Sequence, residues 1–329
     1  MKNSCATANQ YPHRVNRVSR MIRRFAGYLP ALGLQPVHLP QKPQGISVYM
    51  RIKDERDWIE TAIASITGIA DEIVAMDNGS TDGTWEILQD LASQRKEQMI
   101  CEQAPDLRHA ELSNAALDLT TFRWVFRFDG DMVAHTSGPH DIAQLRARIL
   151  GLPTNRFCVI YLRHVNLSGD LFHQDPQEQV HIEEYIHTFS PDARFVHPGR
   201  FEAVRFPLYY RPLFWYEPYV FHVNIKPARR MLLRRFWEEW MEKKDYDRYP
   251  TLESYVQDAI LDALGTADLE EAEALWVRRV FQSSIPFDPN KFGPYPDLLK
   301  PHLDFPTYRL LTDTDGRITG RREERALRP

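Results

Sequence analysis

From residue 46 to residue 128, short apolar runs of strand length alternate with stretches of helical spacing, and this alternation restricts the fold more than any other feature of the chain. Ile46 to Arg51 reads as a strand. Glu55 to Thr67 reads as a helix carrying Trp58, Ile59, Ala62, Ile63 and Ile66 inward. Asp71 to Met76, Met99 to Gln103 and Arg123 to Phe128 follow as strands, separated by helices over Thr84 to Ser93 and Glu111 to Leu119. Strands joined through helices run parallel with right-handed crossovers. The expected class is therefore α/β, with a mostly parallel central sheet flanked by helices. Ligands of such sheets bind beyond the carboxyl ends of the strands.

Two acidic turns lie at such ends. The first is Asp77-Asn78-Gly79-Ser80-Thr81-Asp82-Gly83-Thr84, in which the glycines permit tight backbone and Asp82 can cap the following helix. The second closes the run Trp124-Val125-Phe126-Arg127-Phe128-Asp129-Gly130-Asp131. By the two-residue period of a strand, Trp124, Phe126 and Phe128 share one face and Arg127, Asp129 and Asp131 the other. Neighbouring carboxylates repel and stay ionised only when a cation or a basic partner sits between them. Mg2+ or Mn2+ accepts a few protein carboxylates and completes its shell with water and phosphate oxygens, so the pair implies a diphosphate ligand.

Elsewhere the chain is informative in patches. Residues 13–29 carry Val15, Val18, Ile22, Phe25 and Leu29 at helical spacing among Arg14, Arg17, Arg20, Arg23 and Arg24, a basic amphipathic pattern suited to an anionic membrane surface or to docking on its own domain. After residue 135 we expect a helix at Asp141 to Leu150, a strand at Phe157 to Asn166 and a loop-rich segment from Gly169 to Pro218. Six of the twelve histidines lie between His164 and His222, without metal-ligand spacing. Lys226 to Asp245 reads as a helix with an aromatic stripe and a basic side formed by Arg229, Arg230, Arg234 and Arg235. Helices near Leu252 to Leu264 and Ala267 to Ser283 precede an extended, proline-rich tail. The division expected is 1–45, a basic helix and linker; 46–225, the α/β unit, in halves 46–135 and 136–225; and 226–329, helical and extended. A net charge of -4 argues against a nucleic-acid partner. Three cysteines without common spacing suggest neither a disulfide framework nor a zinc site, which fits a reducing cytoplasm.

The motifs resemble those of family 2 glycosyltransferases. Arg51-Ile52-Lys53-Asp54-Glu55, then Asp71 through Thr84, Arg108 through Asn114 and Phe128-Asp129-Gly130-Asp131 occur in that family's order, and Tyr219-Val220-Phe221-His222 with Lys226 extends the likeness. The departures are Asp54, often Asn in the family, and Asn78, often a second Asp. The resemblance implies a GT-A fold and transfer of a sugar from a nucleotide-diphosphate sugar to an acceptor hydroxyl, with inversion, in surface polysaccharide or glycolipid synthesis. It implies that Asp77 and Asn78 bond the base or ribose, that Arg108 and Lys226 serve the donor, and that Asp129, Asp131 and His222 hold Mn2+ or Mg2+. Inversion needs one general base; Glu183 or Glu184 is the expected one, with the metal ligand Asp131 as the third catalytic residue. The acceptor would be a carbohydrate or glycolipid, met in the cytoplasm or on the inner membrane face. A nucleotidyltransferase of related fold and a non-catalytic carbohydrate-binding protein are the rival classes; the first lacks its glycine-rich phosphate loop here.

Overall fold

β1 (Ile46–Ile52) is buried on both faces, as a strand covered from both sides is. In the computed structural model, which describes residues 25–26, 42–95, 98–176, 182–197, 202–243 and 245–324, it stands at the centre of the sheet. The chain continues through α1 (Ile59–Ser65), β2 (Glu72–Asp77), α2 (Thr84–Gln94), β3 (Met99–Gln103), α3 (His109–Leu119) and β4 (Trp124–Arg127). β1 pairs in parallel with β2 and β4, and β2 in parallel with β3. Ile46, Val48, Met50 and Ile52 pack on Ile59, Ala62 and Ile63 of α1, while Tyr49, Val74 and Met76 meet Ala110, Leu112 and Ala116 of α3 on the opposite face. The helix-flanked α/β sheet expected from the alternation is the fold observed.

Beyond β4 come β5 (Met132–Ala134), α4 (Ile142–Leu150), β6 (Phe157–Ser168), β7 (His173–Gln174), β8 (Ile182–Thr188), β9 (Arg194–Val196), β10 (Ala203–Arg205) and β11 (Tyr210–Asn224). β8 runs antiparallel to both β4 and β6, β11 runs parallel to β6, and the whole forms a ten-stranded sheet. The loop-rich segment expected from Gly169 to Pro218 is thus corrected: it contains β7 to β10 and half of β11. Two prolines had disguised β11. Pro212 lies where β11 has only β6 beside it, an edge that tolerates a missing N–H, and Pro218 falls in the register shift between Trp215 and Val220.

α5 (Ala228–Lys243), α6 (Leu252–Leu264) and α7 (Leu269–Phe281) pack around Leu232, Phe236, Tyr255, Val256 and Ile260. β12 (Ile285–Pro286), α8 (Pro289–Phe292), α9 (Lys300–Asp304), β13 (Tyr308–Thr312) and β14 (Ile318–Glu323) complete the chain, so the extended tail is also corrected. Pro289 and Pro301 sit at helix starts, where the fixed backbone angle of proline suits the first turn. The basic helix expected over residues 13–29 lies outside the described residues, apart from residues 25 and 26.

Candidate active site

A cleft of about 410 Å³ opens beyond the carboxyl ends of β1, β2 and β4. Its floor is the turn Asp129-Gly130-Asp131. Met132 N–H donates to Asp129 O at 3.0 Å, and Val223 N–H to Asp131 O at 2.8 Å, which fixes the turn to β11. A Cβ on Gly130 would meet Glu55 Cγ at 2.9 Å, so the residue between the aspartates has no room for a side chain. β11 delivers His222 to the same floor, and the segment just past its end brings Lys226 there. α5 and α7 close the side with Arg230, Arg234 and Trp276.

The two carboxylates are answered by basic groups. Asp131 is buried, and its Oδ2 lies 2.9 Å from Lys226 Nζ and 3.2 Å from His222 Nε2. Burial alone would raise the Asp131 carboxyl, but Lys226 and His222 reverse this and hold it well below the usual carboxylate range. Asp129 is more open and lies 3.4 Å from Arg51 Nη2; against the cost of burial, Arg51 and Arg127 hold its carboxyl low. Lys226 Nζ also lies 2.7 Å from Glu55 Oε1, which receives Arg230 Nη2 at 2.7 Å. Arg230 donates further to the carbonyl oxygens of Lys53 and Asp54, tying the start of α5 to the loop after β1. In that loop Asp54 takes φ 53°, the left-handed region, and its Oδ1 accepts from Thr81 N–H at 2.7 Å.

His222, Lys226, Asp129, Asp131 and Asn78 line the cleft as the sequence led us to expect; Asp77, Arg108, Glu183 and Glu184 do not. Asp77 is fully buried, and its Oδ2 accepts from Gly79 N–H at 3.1 Å, Ser80 N–H at 3.0 Å and Gln103 Nε2 at 3.1 Å. These bonds hold the turn. Asn78 Nδ2 donates to Ala104 O at 2.7 Å and Leu107 O at 3.0 Å, which explains the departure from aspartate: a carboxylate there would face two carbonyl oxygens. Its Nδ2 is thereby committed to the loop.

Arg108 is the N-cap residue of α3, its N–H bonded to Glu111 Oε2 at 2.9 Å, and the next residue, His109, is the one that enters the cleft. Glu183 is ion-paired with Arg127 on β4. Burial would raise its carboxyl, yet Arg127 brings it below the ordinary value, which weakens it as a proton acceptor. Neither Glu183 nor Glu184, the residues expected to supply the base, lines the cleft. Glu55, Arg230, Arg234 and Trp276 were missed. Glu55 stands in a quoted motif, and Arg230 and Arg234 share a helix face by their four-residue spacing; Trp276 left no signal. Among the described residues no group of three or more His, Cys, Asp or Glu is arranged to hold a metal ion.

Residues 47–164 match the family described as glycosyl transferase family 2. The resemblance read from the motifs, and with it the enzyme class, a glycosyltransferase, is borne out there. No curated protein matches the chain. Solved structures similar to it include residues 1–349 of TarS from S. aureus, at 13% identity over 72% of this chain and 72% of that one, with a TM-score of 0.40. Another is the mannosyltransferase PcManGT from Pyrobaculum calidifontis in complex with GDP-Man and Mn2+, at 16% identity over 78% of this chain and 82% of that one, with a TM-score of 0.39.

Proposed function

We propose that this chain, a family 2 glycosyltransferase over residues 47–164, moves a sugar from a nucleotide-diphosphate sugar to an acceptor hydroxyl in the cleft beyond β1, β2 and β4. One observation carries the reading: Asp129 and Asp131 converge with His222 and Lys226 on the floor of that cleft. The donor set fits a divalent ion in part. His222 Nε2 and Asp131 Oδ2 are 3.2 Å apart, close enough to share an ion, and Asp129 adds an open carboxylate. Diphosphate and water oxygens would have to complete the shell. When bound, Mn2+ or Mg2+ supplies neutralisation of the leaving nucleotide's charge. The chain's own part is to orient and to exclude water. Lys226 and Arg230 fix Glu55 and Asp131, and the wall of Leu112, Met231, Trp276 and Val280 shields the donor from solvent. The family's inverting course and a carbohydrate or glycolipid acceptor belong to this proposal.

A panel of nucleotide sugars, assayed for hydrolysis and for transfer to simple saccharide acceptors with and without Mn2+, tests it. Turnover of at least one donor, lost in excess chelator, is expected; full activity in chelator rejects the ion. The basic pattern of residues 13–29 adds peripheral contact with an anionic membrane from the cytoplasmic side, and among the described residues no helix is long and apolar enough to cross one. Equal sedimentation with anionic liposomes of the full chain and of one lacking the first 40 or so residues removes that contact.

A further inference from the structure

The cleft is more basic than its own carboxylates require. The fixed cations that line it are Arg51, Lys53, Lys226, Arg230 and Arg234, against Glu55, Asp129 and Asp131. Three of the cations are already answered. Arg51 meets Asp129 and Glu202, Lys226 bridges Asp131 and Glu55, and Arg230 meets Glu55. Lys53 and Arg234 remain. Lys53 Nζ donates to the carbonyl oxygen of Asn78 at 2.8 Å, and among the described residues neither side chain forms an ion pair with a carboxylate. Two cations of the cleft thus stand without a carboxylate partner among the described residues, and the diphosphate of a nucleotide sugar carries two negative charges.

Resting on the glycosyltransferase reading, we infer that Lys53 and Arg234 anchor the donor's diphosphate, so that donor binding, as distinct from transfer, does without a divalent ion. Position supports the pairing. Arg234 stands one turn beyond Arg230 on α5, and Arg230 bonds the backbone of Lys53 itself, so the helix and the loop that carry the two cations are tied together where both line the cleft. Both side chains are exposed and open to an entering ligand. A guanidinium can grip phosphate oxygens through two parallel N–H donors, and an ammonium adds a point charge. The apolar wall of Met231, Trp276 and Val280 beside Arg234 strengthens such a contact by thinning the surrounding water. The floor, by contrast, is poorly placed to recruit the diphosphate through an ion alone. Asp131 Oδ2 already has Lys226 and His222 as neighbours, so an ion gains firm coordination only once the diphosphate is there.

Titration calorimetry with UDP, GDP, ADP and CDP, in excess chelator and again in Mn2+, tests this. At least one is expected to bind in chelator within about tenfold of its affinity in Mn2+. For that nucleotide Lys53→Ala and Arg234→Ala should each lose about tenfold or more, the loss should shrink at high salt, and Arg229→Ala, whose partner is Glu273 outside the cleft, should change nothing. Circular dichroism confirms the fold of each variant, which substitution at an exposed side chain leaves intact. Binding that appears only with Mn2+, or Lys53→Ala and Arg234→Ala variants that bind as the parent does, overturns the anchor and leaves the glycosyltransferase reading standing. If none of the four binds in either condition, both fall.

Discussion

Asp131 is a charge taken out of water and held by two basic neighbours, so its removal reads on both stability and chemistry. Asp131→Asn keeps the shape and discards the charge, leaving His222 without its carboxylate and Lys226 with Glu55 alone. Breaking a buried pair costs about 3–5 kcal/mol, and the surviving Glu55 contact puts the expected loss at or below the lower end of that range. Activity should fall at least about a hundredfold, as for loss of a directed charge contact in the transition state. Urea unfolding and turnover, measured together, check this: unchanged turnover in a folded variant would make Asp131 a structural charge only. Because the folded carboxyl is held low, its contribution is present above about pH 4, the unfolded value, and disappears as pH falls below it. Histidines give the next acid response. Burial, with Arg127 behind it, lowers His187 to about 3, and burial with His140 lowers His135 to about 4. The unfolded chain takes these protons near pH 6.5 and the folded one refuses them, so stability should fall as pH drops below about 6.5, by up to about 1.4 kcal/mol per pH unit for each. His187→Phe should remove one proton from that slope; an unaltered slope between about pH 6.5 and 4.5 contradicts the assignment.

At the scale of elements, what could be read in advance followed from periodicity, and what could not depended on docking. β1, β2 and β4 announced themselves because they are buried along almost their whole length and rich in apolar residues, whereas β3, the exposed edge strand, was legible only from its place in the alternation. β8 hid because Glu183 and His187 are polar residues satisfied or packed by distant parts of the chain, through Arg127 on β4 and Phe206 just after β10. α5 showed its two faces plainly, yet which of its arginines would enter the cleft depended on Arg230 finding Glu55 and the carbonyls of Lys53 and Asp54. The same contact makes a prediction. Arg230→Ala should release the start of α5 and the loop carrying Asp54, and amide exchange should quicken in residues 53–56 and 228–234 while α6 stays as protected as before. Removing one charged hydrogen-bonding group of this kind weakens a local structure by about 1.5–3 kcal/mol, roughly a tenfold to hundredfold rise in opening. Exchange rising equally throughout α6 would mean that Arg230 supports the fold at large.

The whole molecule is knit across the boundary that composition suggested at residue 225. Trp58, at the start of α1, and Val133, Val165 and Phe221 of the sheet share one apolar cluster with Phe292, Leu299 and Tyr308 from the far end of the chain. Arg321 on β14 donates to Lys226 O at 2.8 Å and to Gly169 O at 3.3 Å, so the last hairpin steadies the backbone of a cleft residue. Trp58 Nε1 donates to Ile225 O at 3.3 Å at the junction itself. None of this was visible in a linear reading, since a proline-rich tail carries its few core residues without a repeating period. If the cluster works as one core, residues 46–225 and 226–324 melt together. Leu299, fully buried, is the place to test it. Leu299→Ala should cost about 2–5 kcal/mol, and calorimetry should show a single transition, moved to lower temperature as a whole, with a nucleotide ligand raising it in parent and variant alike. Two resolved transitions, with only the smaller displaced by the substitution, would instead make the region after residue 225 an independent domain resting against the sheet.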